Sequence, residues 1–400
     1  MHRLAIIVAL CASCACRCAT FTSVSVDQSD VEDAIAAAGA GDIVMVPAGW
    51  ATWDSTVTVT NGCFLIGAGT NSTLIVWSNT DAILIFDPIP DSGIRVSGFT
   101  FSNIISGGLL TIKDNVGYRV DNCRFYNGDS ALFVWEYCEG LVDHCAFINC
   151  DHPTRFNGVG AADWVRGFTV GTTSCNIIED CYYEVTSGFL EGEGLGSQLY
   201  AEEGAKVVLR YSKLVATNYD YDCQCVDAHG NQEWIGDGTP PQFRGTVQEE
   251  VYGNTFYVKQ ASRLTYFRGG QILCYSNTFL TLSGSPDVIQ CTEEEGWNTA
   301  FFDPVRTEWP ADDQITNSFF WGNTLNGNPA TTVHTNNAAD ATFIQLGRDY
   351  WTEAPNATNG SPAGVFADYT QAPYPHPLIR YFEGSKLRAT TLRAGNVTGP

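Results

Sequence analysis

Basic residues are scarce in this chain. Twenty-one Lys plus Arg stand against 44 Asp plus Glu over 400 residues, a formal net charge of −23. A surface this acidic excludes nucleic acid as a general partner and disfavours anionic membranes, since both would meet like charge. It also repels an acidic polysaccharide unless a cation or a local basic patch intervenes. Long apolar runs are missing beyond the first residues, which excludes a transmembrane helix. The signatures of several enzyme classes are missing too: there is no Walker-type loop, HExxH, GxSxG or CxxC metal pair. The Gly-rich stretch GVGAAD (158–163) reads as a turn.

The N-terminus carries Arg3 and then an apolar run, Leu4 to Ala12, too short to span a bilayer. Residues 1–20 are therefore expected to be a signal peptide, and the protein to be secreted, periplasmic or on the cell surface. Cys11, Cys14, Cys16 and Cys18 leave a lipidated cysteine as the alternative ending. Eleven cysteines follow, an odd number, so at least one is unpaired.

What the chain has is self-similarity, which decides the fold before any other consideration. FRGTVQEEVYGNTF (243–256) is echoed by FRGGQILCYSNTF (267–279). The second half of this pair belongs to an eight-residue frame: IRVSGFTF, YRVDNCRF, GLVDHCAF, NIIEDCYY, VVLRYSKL, EEVYGNTF, ILCYSNTF and SFFWGNTL. Runs this short, β-prone and bounded by Gly, Asn, Asp and Ser are strands. The expected fold is all-β, a parallel β-helix over residues 21–328 with an irregular C-terminal segment over 329–400. A short helix over Val31–Ala38, with Asp30 as N-cap, should cover its N-terminal end, where open strand edges would aggregate.

Equivalent frame positions then form columns with a rise of about 4.8 Å per coil. Position six holds Phe99, Cys123, Cys145, Cys181, Ser212, Asn254, Asn277 and Asn323. The asparagines should form an internal amide ladder, and the three cysteines should stack reduced. Cys138 with Cys150, or Cys223 with a distant partner, is the disulfide expectation. Spacings along this column of 24, 22, 36, 31, 42, 23 and 46 residues mark insertions at roughly 150–172, 218–243 and 281–316. Insertions in solenoids commonly build the binding face.

Position four should point outward because position three points in. It reads Ser97, Asp121, Asp143, Glu179, Arg210, Tyr252, Tyr275 and Trp321. Stacked carboxylates cannot all ionise without a counter-charge, and Ca²⁺ held by Asp121, Asp143 and Glu179 would supply it. Tyr252, Tyr275 and Trp321 would be sugar-stacking platforms; a solvated acidic face is the plain alternative. A second column, in the turn before each frame, reads Asp114, Glu136, Thr172, Glu203, Arg244 and Arg268. The two arginines need carboxylates such as Glu203 or Glu249, or an acidic substrate, beside them.

The 218–243 insertion carries VDAHG, in which Asp227 and His229 share one side of an extended segment. The carboxylate could orient the ring or share a metal with it. Asp220, Asp222, Glu233 and Asp237, with Glu191 and Glu193 of EGEG, extend the acidic neighbourhood.

The capping helix, the IVMVPAG strand (43–49) and the NCRF and NTF frames resemble right-handed parallel β-helix proteins of the pectate-lyase-like superfamily over roughly residues 24–328. In particular the chain is similar to bacterial secreted β-helix repeat proteins, in which DAHG, FRG, YGNTF and a terminal YPHPL recur. The polygalacturonase pattern of paired aspartates with Gly-His-Gly and Arg-Ile-Lys is absent. The resemblance implies a carbohydrate-active, monomeric protein with a polysaccharide partner, and first a lyase on a uronic-acid-containing glycan. In that reading calcium or Arg210, Arg244 or Arg268 neutralises the uronate, and His229 or an arginine moves the proton. A glycoside hydrolase using two of Glu179, Asp180, Asp227 and Glu250, or a non-catalytic glycan-binding protein, are the alternatives.

Overall fold

The computed structural model describes residues 18–77, 79–87, 93–104, 107–159, 161–186, 199–217, 224–230, 245–259, 261, 263–292, 314–335 and 338–382. The chain winds as a right-handed parallel β-helix whose coils feed three parallel sheets of 12, 11 and 10 strands. One coil shows the path. Val116–Asp121 lies in the first sheet, Arg124–Tyr126 in the second and Leu132–Trp135 in the third, after which Glu139–Asp143 re-enters the first beside Val116–Asp121. The one antiparallel pair described, Thr324–Leu325 with Asn328–Pro329, falls where the frame fades.

The frame has a local cause in every coil. Positions two to four run in the first sheet, and the chain must then turn sharply into the second. Position five takes the turn in the left-handed region: Gly98, Asn122, His144, Asp180, Tyr211, Gly253, Ser276 and Gly322 all have φ between 51° and 81°. Side chains other than glycine pay for that conformation, and Asn and Asp pay least.

Position six then enters the core and satisfies the corner. Asn254 Nδ2 donates to Leu209 O of the preceding coil at 2.9 Å and to Asn277 Oδ1 at 3.1 Å. Asn277 Nδ2 repeats this with Val251 O at 2.9 Å and Asn323 Oδ1 at 3.0 Å. In the earlier coils a thiol takes the same place. Cys123, Cys145 and Cys181 direct Sγ at Val96 O, Val120 O and Val142 O, from 3.5 to 3.8 Å. Cys63, Cys123, Cys138, Cys145, Cys150, Cys175, Cys181, Cys274 and Cys291 keep free thiols. Cys138 and Cys150 are thus unbridged, contrary to expectation: each turns its thiol to a backbone carbonyl instead. Cys223 lies outside the described residues. Position eight stacks its rings, with centroids 5.7 Å apart for Phe101–Phe125, 4.9 Å for Phe125–Phe147 and 5.0 Å for Phe147–Tyr183.

The N-terminal helix runs Gln28–Ala37, one turn earlier than the sequence suggests. Asp27 rather than Asp30 occupies its N-cap, and Val31, Ala34 and Ile35 face the core. GVGAAD leads into a six-residue helix, Ala161–Arg166, rather than a simple turn.

Position four departs most from expectation. Its side chains leave the sheet on the outer face but do not meet water: Asp121, Asp143, Glu179, Arg210 and Tyr252 are all at 0 % exposure. The C-terminal segment returns across the first sheet and covers them. Arg210 donates to Ala372 O and Pro373 O at 2.7 Å, the backbone N–H of His376 donates to Glu179 at 3.0 Å, and Phe382 packs edge-on against Phe64 at 5.2 Å. The YPHPL stretch is therefore part of a strap along the stack, and not only a terminator.

Candidate functional site

The third sheet carries a second polar constellation, apart from the charged pairs on the first. Parallel register places Phe133, Arg155, Tyr200, Asp227, Tyr266, Gln290 and His334 in one column across seven strands. Because strand side chains alternate, their neighbours Leu132, Thr154, Leu199, Val226, Thr265 and Ile289 point into the core. Asn157 pairs with Glu202 one step beyond Phe156 and Ala201. His229 and Arg268 follow directly on the paired Ala228 and Phe267, so Glu202, His229 and Arg268 form the adjoining column. Glu203, aligned with Arg268 by sequence, is one residue past this column, in the left-handed turn at φ 53°.

At the centre Asp227 is held from three sides. Arg268 Nη2 donates to both carboxylate oxygens at 2.8 Å, and its Nε donates to Oδ1 at 3.1 Å. Gln224 Nε2 donates to Oδ2 at 3.0 Å. His229 Nε2 lies 3.1 Å from the same oxygen and also contacts Arg268 Nη2. Burial alone would raise the Asp227 carboxyl; Arg268 and then His229 outweigh it and hold the group well below the usual carboxylate range. The His229 ring sits 4.2 Å from that of Tyr200.

Beside this core, the Arg155 guanidinium lies between the rings of Phe133 and Tyr200, 5.2 and 5.1 Å from their centroids. It also ion-pairs with Glu202, which accepts the Tyr200 hydroxyl at 3.0 Å. Burial pushes Glu202 up, but Arg155 and His229 prevail and keep it low. Glu203 goes the other way: burial and the neighbouring Glu202 charge push it up to about 7. Arg263 stacks on Tyr266 at 3.9 Å and donates to Gln224, so its partners among the described residues are neutral. Asp227, His229 and Arg268 are buried, while Phe133, Arg155, Tyr200 and Arg263 are half-buried around them.

The structure thus brings together Asp227, His229 and Arg268 of the predicted set, with Glu203 at their edge. Arg244, Asp220, Asp222, Glu233, Asp237, Glu191 and Glu193 lie outside the described residues. Arg210 is elsewhere, sealed under the strap against Glu179 and the Tyr252 hydroxyl. Tyr252, Tyr275 and Trp321 do stack, at 4.8 and 4.0 Å, but the strap occupies that face: the Tyr369 hydroxyl meets Tyr275 OH at 2.9 Å. They are not open sugar platforms. Glu250 is buried there too, accepting from Tyr369, and Asp180 accepts from Tyr374, so neither joins Asp227.

Nor do Asp121, Asp143 and Glu179 fit a calcium site. Arg95 and Arg119 reach Asp121 and Asp143 as two-pronged pairs, at 2.6 and 2.8 Å, and Arg210 takes Glu179. The counter-charge expected of an ion comes from arginines, Arg95 and Arg119 at position two of the frame and Arg210 at position four. Among the described residues, donor atoms within 4.8 Å of one another belong to Asp129, Asp151 and His152, where Asp129 already pairs with His152 at 3.2 Å.

Arg155, Tyr200, Glu202, Gln224 and Arg263 went unnoticed in the sequence. All but Gln224, which lies just before Val226–Ala228, are on third-sheet strands. No constant frame marks this sheet, because long insertions break its approach before Leu199–Glu202 and Val226–Ala228 and its exits after Thr154–Asn157, Val226–Ala228 and Asp287–Cys291. The signal lay in aligning DAH with YFR (266–268), which puts His229 and Arg268 at equivalent places.

No family model and no curated protein matches the chain. Solved structures that resemble it are distant. They include an alginate lyase from Paenibacillus sp. str. FPU-7, at 11 % identity and TM-score 0.39, covering 79 % of this chain and 98 % of that one. A pectin methylesterase in complex with a hexasaccharide matches at 11 % identity and TM-score 0.41, over 84 % and 98 %. A PL6 family polysaccharide lyase from Pseudopedobacter saltans matches at 12 % identity and TM-score 0.37, over 83 % and 91 %.

Proposed function

We propose that the chain is a secreted carbohydrate-active enzyme working on the outer face of the third sheet, and that it is a polysaccharide lyase on a uronic-acid-containing glycan. The observation that carries this is the placement of His229 Nε2 between an anion and a cation. A neutral ring accepts from Arg268 at that atom, and a protonated ring donates from it to Asp227, 3.1 Å away. Both protonation states therefore find a partner without movement of the ring, which suits a group that takes and returns a proton. β-Elimination needs that base together with a cation on the uronate, which makes the neighbouring C–H acidic. Arg263 suits the second role because its hydrogen-bond and ring partners among the described residues are neutral, while Asp287 across the strand pairs with His334. Arg155, Arg263 and Arg268 concentrate cations on this face of a protein of net charge −23, beside the carboxylates Asp227, Glu202 and Asp287. Phe133 and Tyr200 flank Arg155 there, with its guanidinium over both rings.

Glu203 supports a second reading. A carboxyl at about 7 next to carboxylates kept ionised is the division of labour of a glycoside hydrolase, with Glu203 as acid.

Incubation with pectate, alginate and neutral glycans separates the two. Unsaturated-uronate absorbance that His229→Ala abolishes is expected of the lyase. New reducing ends without that absorbance, lost in Glu203→Gln, would establish the hydrolase instead. Cleavage of any kind that survives His229→Ala and Arg263→Ala removes the lyase assignment.

A further inference from the structure

The 150–172 insertion lends Arg155 to the face just described, and its later residues line a cavity of about 290 Å³ at the corner between the third and first sheets. We propose that this cavity binds one neutral pyranose unit. The inference rests on the carbohydrate reading of the adjoining face but concerns separate residues.

The cavity is built from both sides. The coils provide Tyr137, Glu139 and Lys206, and the insertion folds the helix Ala161–Arg166 over them, bringing Asp163 and Arg166. Its floor is a tight backbone crossing. A Cβ at Gly158 would lie 2.5 Å from Asp163 Oδ2 and 2.6 Å from the carbonyl carbon of Gly204, so only glycine lets the insertion sit this close. Gly204 follows Glu203 directly, which puts the cavity around the corner from the candidate site.

The wall alternates in charge. Asp163 accepts from Arg166 Nη1 at 3.0 Å, and Arg166 lies 3.8 Å over the Tyr137 ring. The Tyr137 hydroxyl donates to Glu139 at 2.9 Å, and Lys206 Nζ donates to Gly167 O at 2.5 Å. A ligand with a formal charge would meet a like charge on one side of such a wall. Hydroxyl groups both donate and accept, and so can be matched by carboxylates and cations together. The volume is near the lower end of ligand pockets, roughly 300 Å³, which suits a single sugar ring and not an oligosaccharide.

The test is saturation-transfer NMR on the full chain with glucose, galactose and mannose, and with glucuronate as the charged counterpart. The expected result is transfer to at least one neutral hexose, weakened about tenfold by Glu139→Gln or Lys206→Met, as loss of one hydrogen bond to a charged group predicts. Glucuronate should bind more weakly, and His229→Ala should leave hexose binding unchanged. No transfer to any neutral hexose, transfer that survives both pocket variants, or tighter glucuronate binding overturns the proposal. If Glu139→Gln does not fold, Lys206→Met alone decides. An oligosaccharide carrying the hexose as a branch displaces the free sugar if the pocket serves the polymer, and fails to if it serves a free monosaccharide. Cleavage lost with hexose binding kept would show that the two sites stand or fall separately.

Discussion

Arg268 reaches back across one coil and holds both oxygens of Asp227 at 2.8 Å, although their strands pair with other residues opposite. A buried ion pair is stabilising only while both members remain. Arg268→Met leaves the Asp227 carboxylate without its cation, and a loss of about 3–5 kcal/mol is expected from denaturant melts at pH 7. The native carboxyl is depressed relative to its ordinary value of 3.8, so the stability it contributes is present above that value and lost as pH falls below it. In the double variant Arg268→Met, Asp227→Asn, the acid dependence should flatten and much of the stability return.

Glu249 gives the opposite pH dependence. It points into the core from the first sheet at 0 % exposure, and neither carboxyl oxygen has a hydrogen-bond partner among the described residues. Burial, with Asp227 adding to it, holds its proton on well above the ordinary value of 4.5. Stability is then full below that value and falls as pH rises from it toward the raised native value. Glu249→Leu should raise the melting temperature at pH 8 and leave it nearly unchanged at pH 4. A wild-type melting temperature that is flat over this range, or a variant that melts lower at pH 8, contradicts the assignment.

The asparagine ladder predicts a graded series. Asn277→Ala removes bonds to Val251 O and Asn323 and leaves the Asn254 amide without its acceptor. The expected cost is about 2–4 kcal/mol, from the lost bonds and the buried groups they strand. Asn277→Cys should cost less, because Cys123, Cys145 and Cys181 fill this position in other coils. Equal losses in the two variants would mean that shape rather than hydrogen bonding sets the corner.

Thiol chemistry offers another check. Burial pushes the Cys138 and Cys150 thiols up to about 12, so neither supplies thiolate at neutral pH. In the folded protein both should be silent to a thiol reagent and react only in denaturant. A reductant should leave the melting temperature where it was. A reductant-sensitive melt would require a bridge.

The legible parts of the sequence are those with local causes. A left-handed corner, an inward Asn or Cys and a stacked ring recur because every coil needs the same turn, and eight frames show it. The site was half legible. Asp227, His229 and Arg268 stood out as DAHG and FRG, but their counterparts Arg155 and Glu202 sit in unframed strands 72 and 27 residues before Asp227 and His229, respectively. The role of position four was not legible at all. Whether Asp121 meets water or Arg95 depends on a two-pronged pairing between coils, and whether Arg210 is exposed depends on Ala372, 162 residues away.

The strap also changes what kind of solenoid this is. Coils that touch only their neighbours can fray from an end and melt in sequence. Here Tyr369 is tied to Tyr275 late in the stack, His376 to Glu179 in the middle, and Phe382 to Phe64 near its beginning. The last described residues run back along the whole series and close it like a splint. Loss of the first coils would release the splint from the later ones, so the barrel should unfold as one cooperative unit, and a chain ending before residue 365 should regain the multistep melt of an ordinary repeat array.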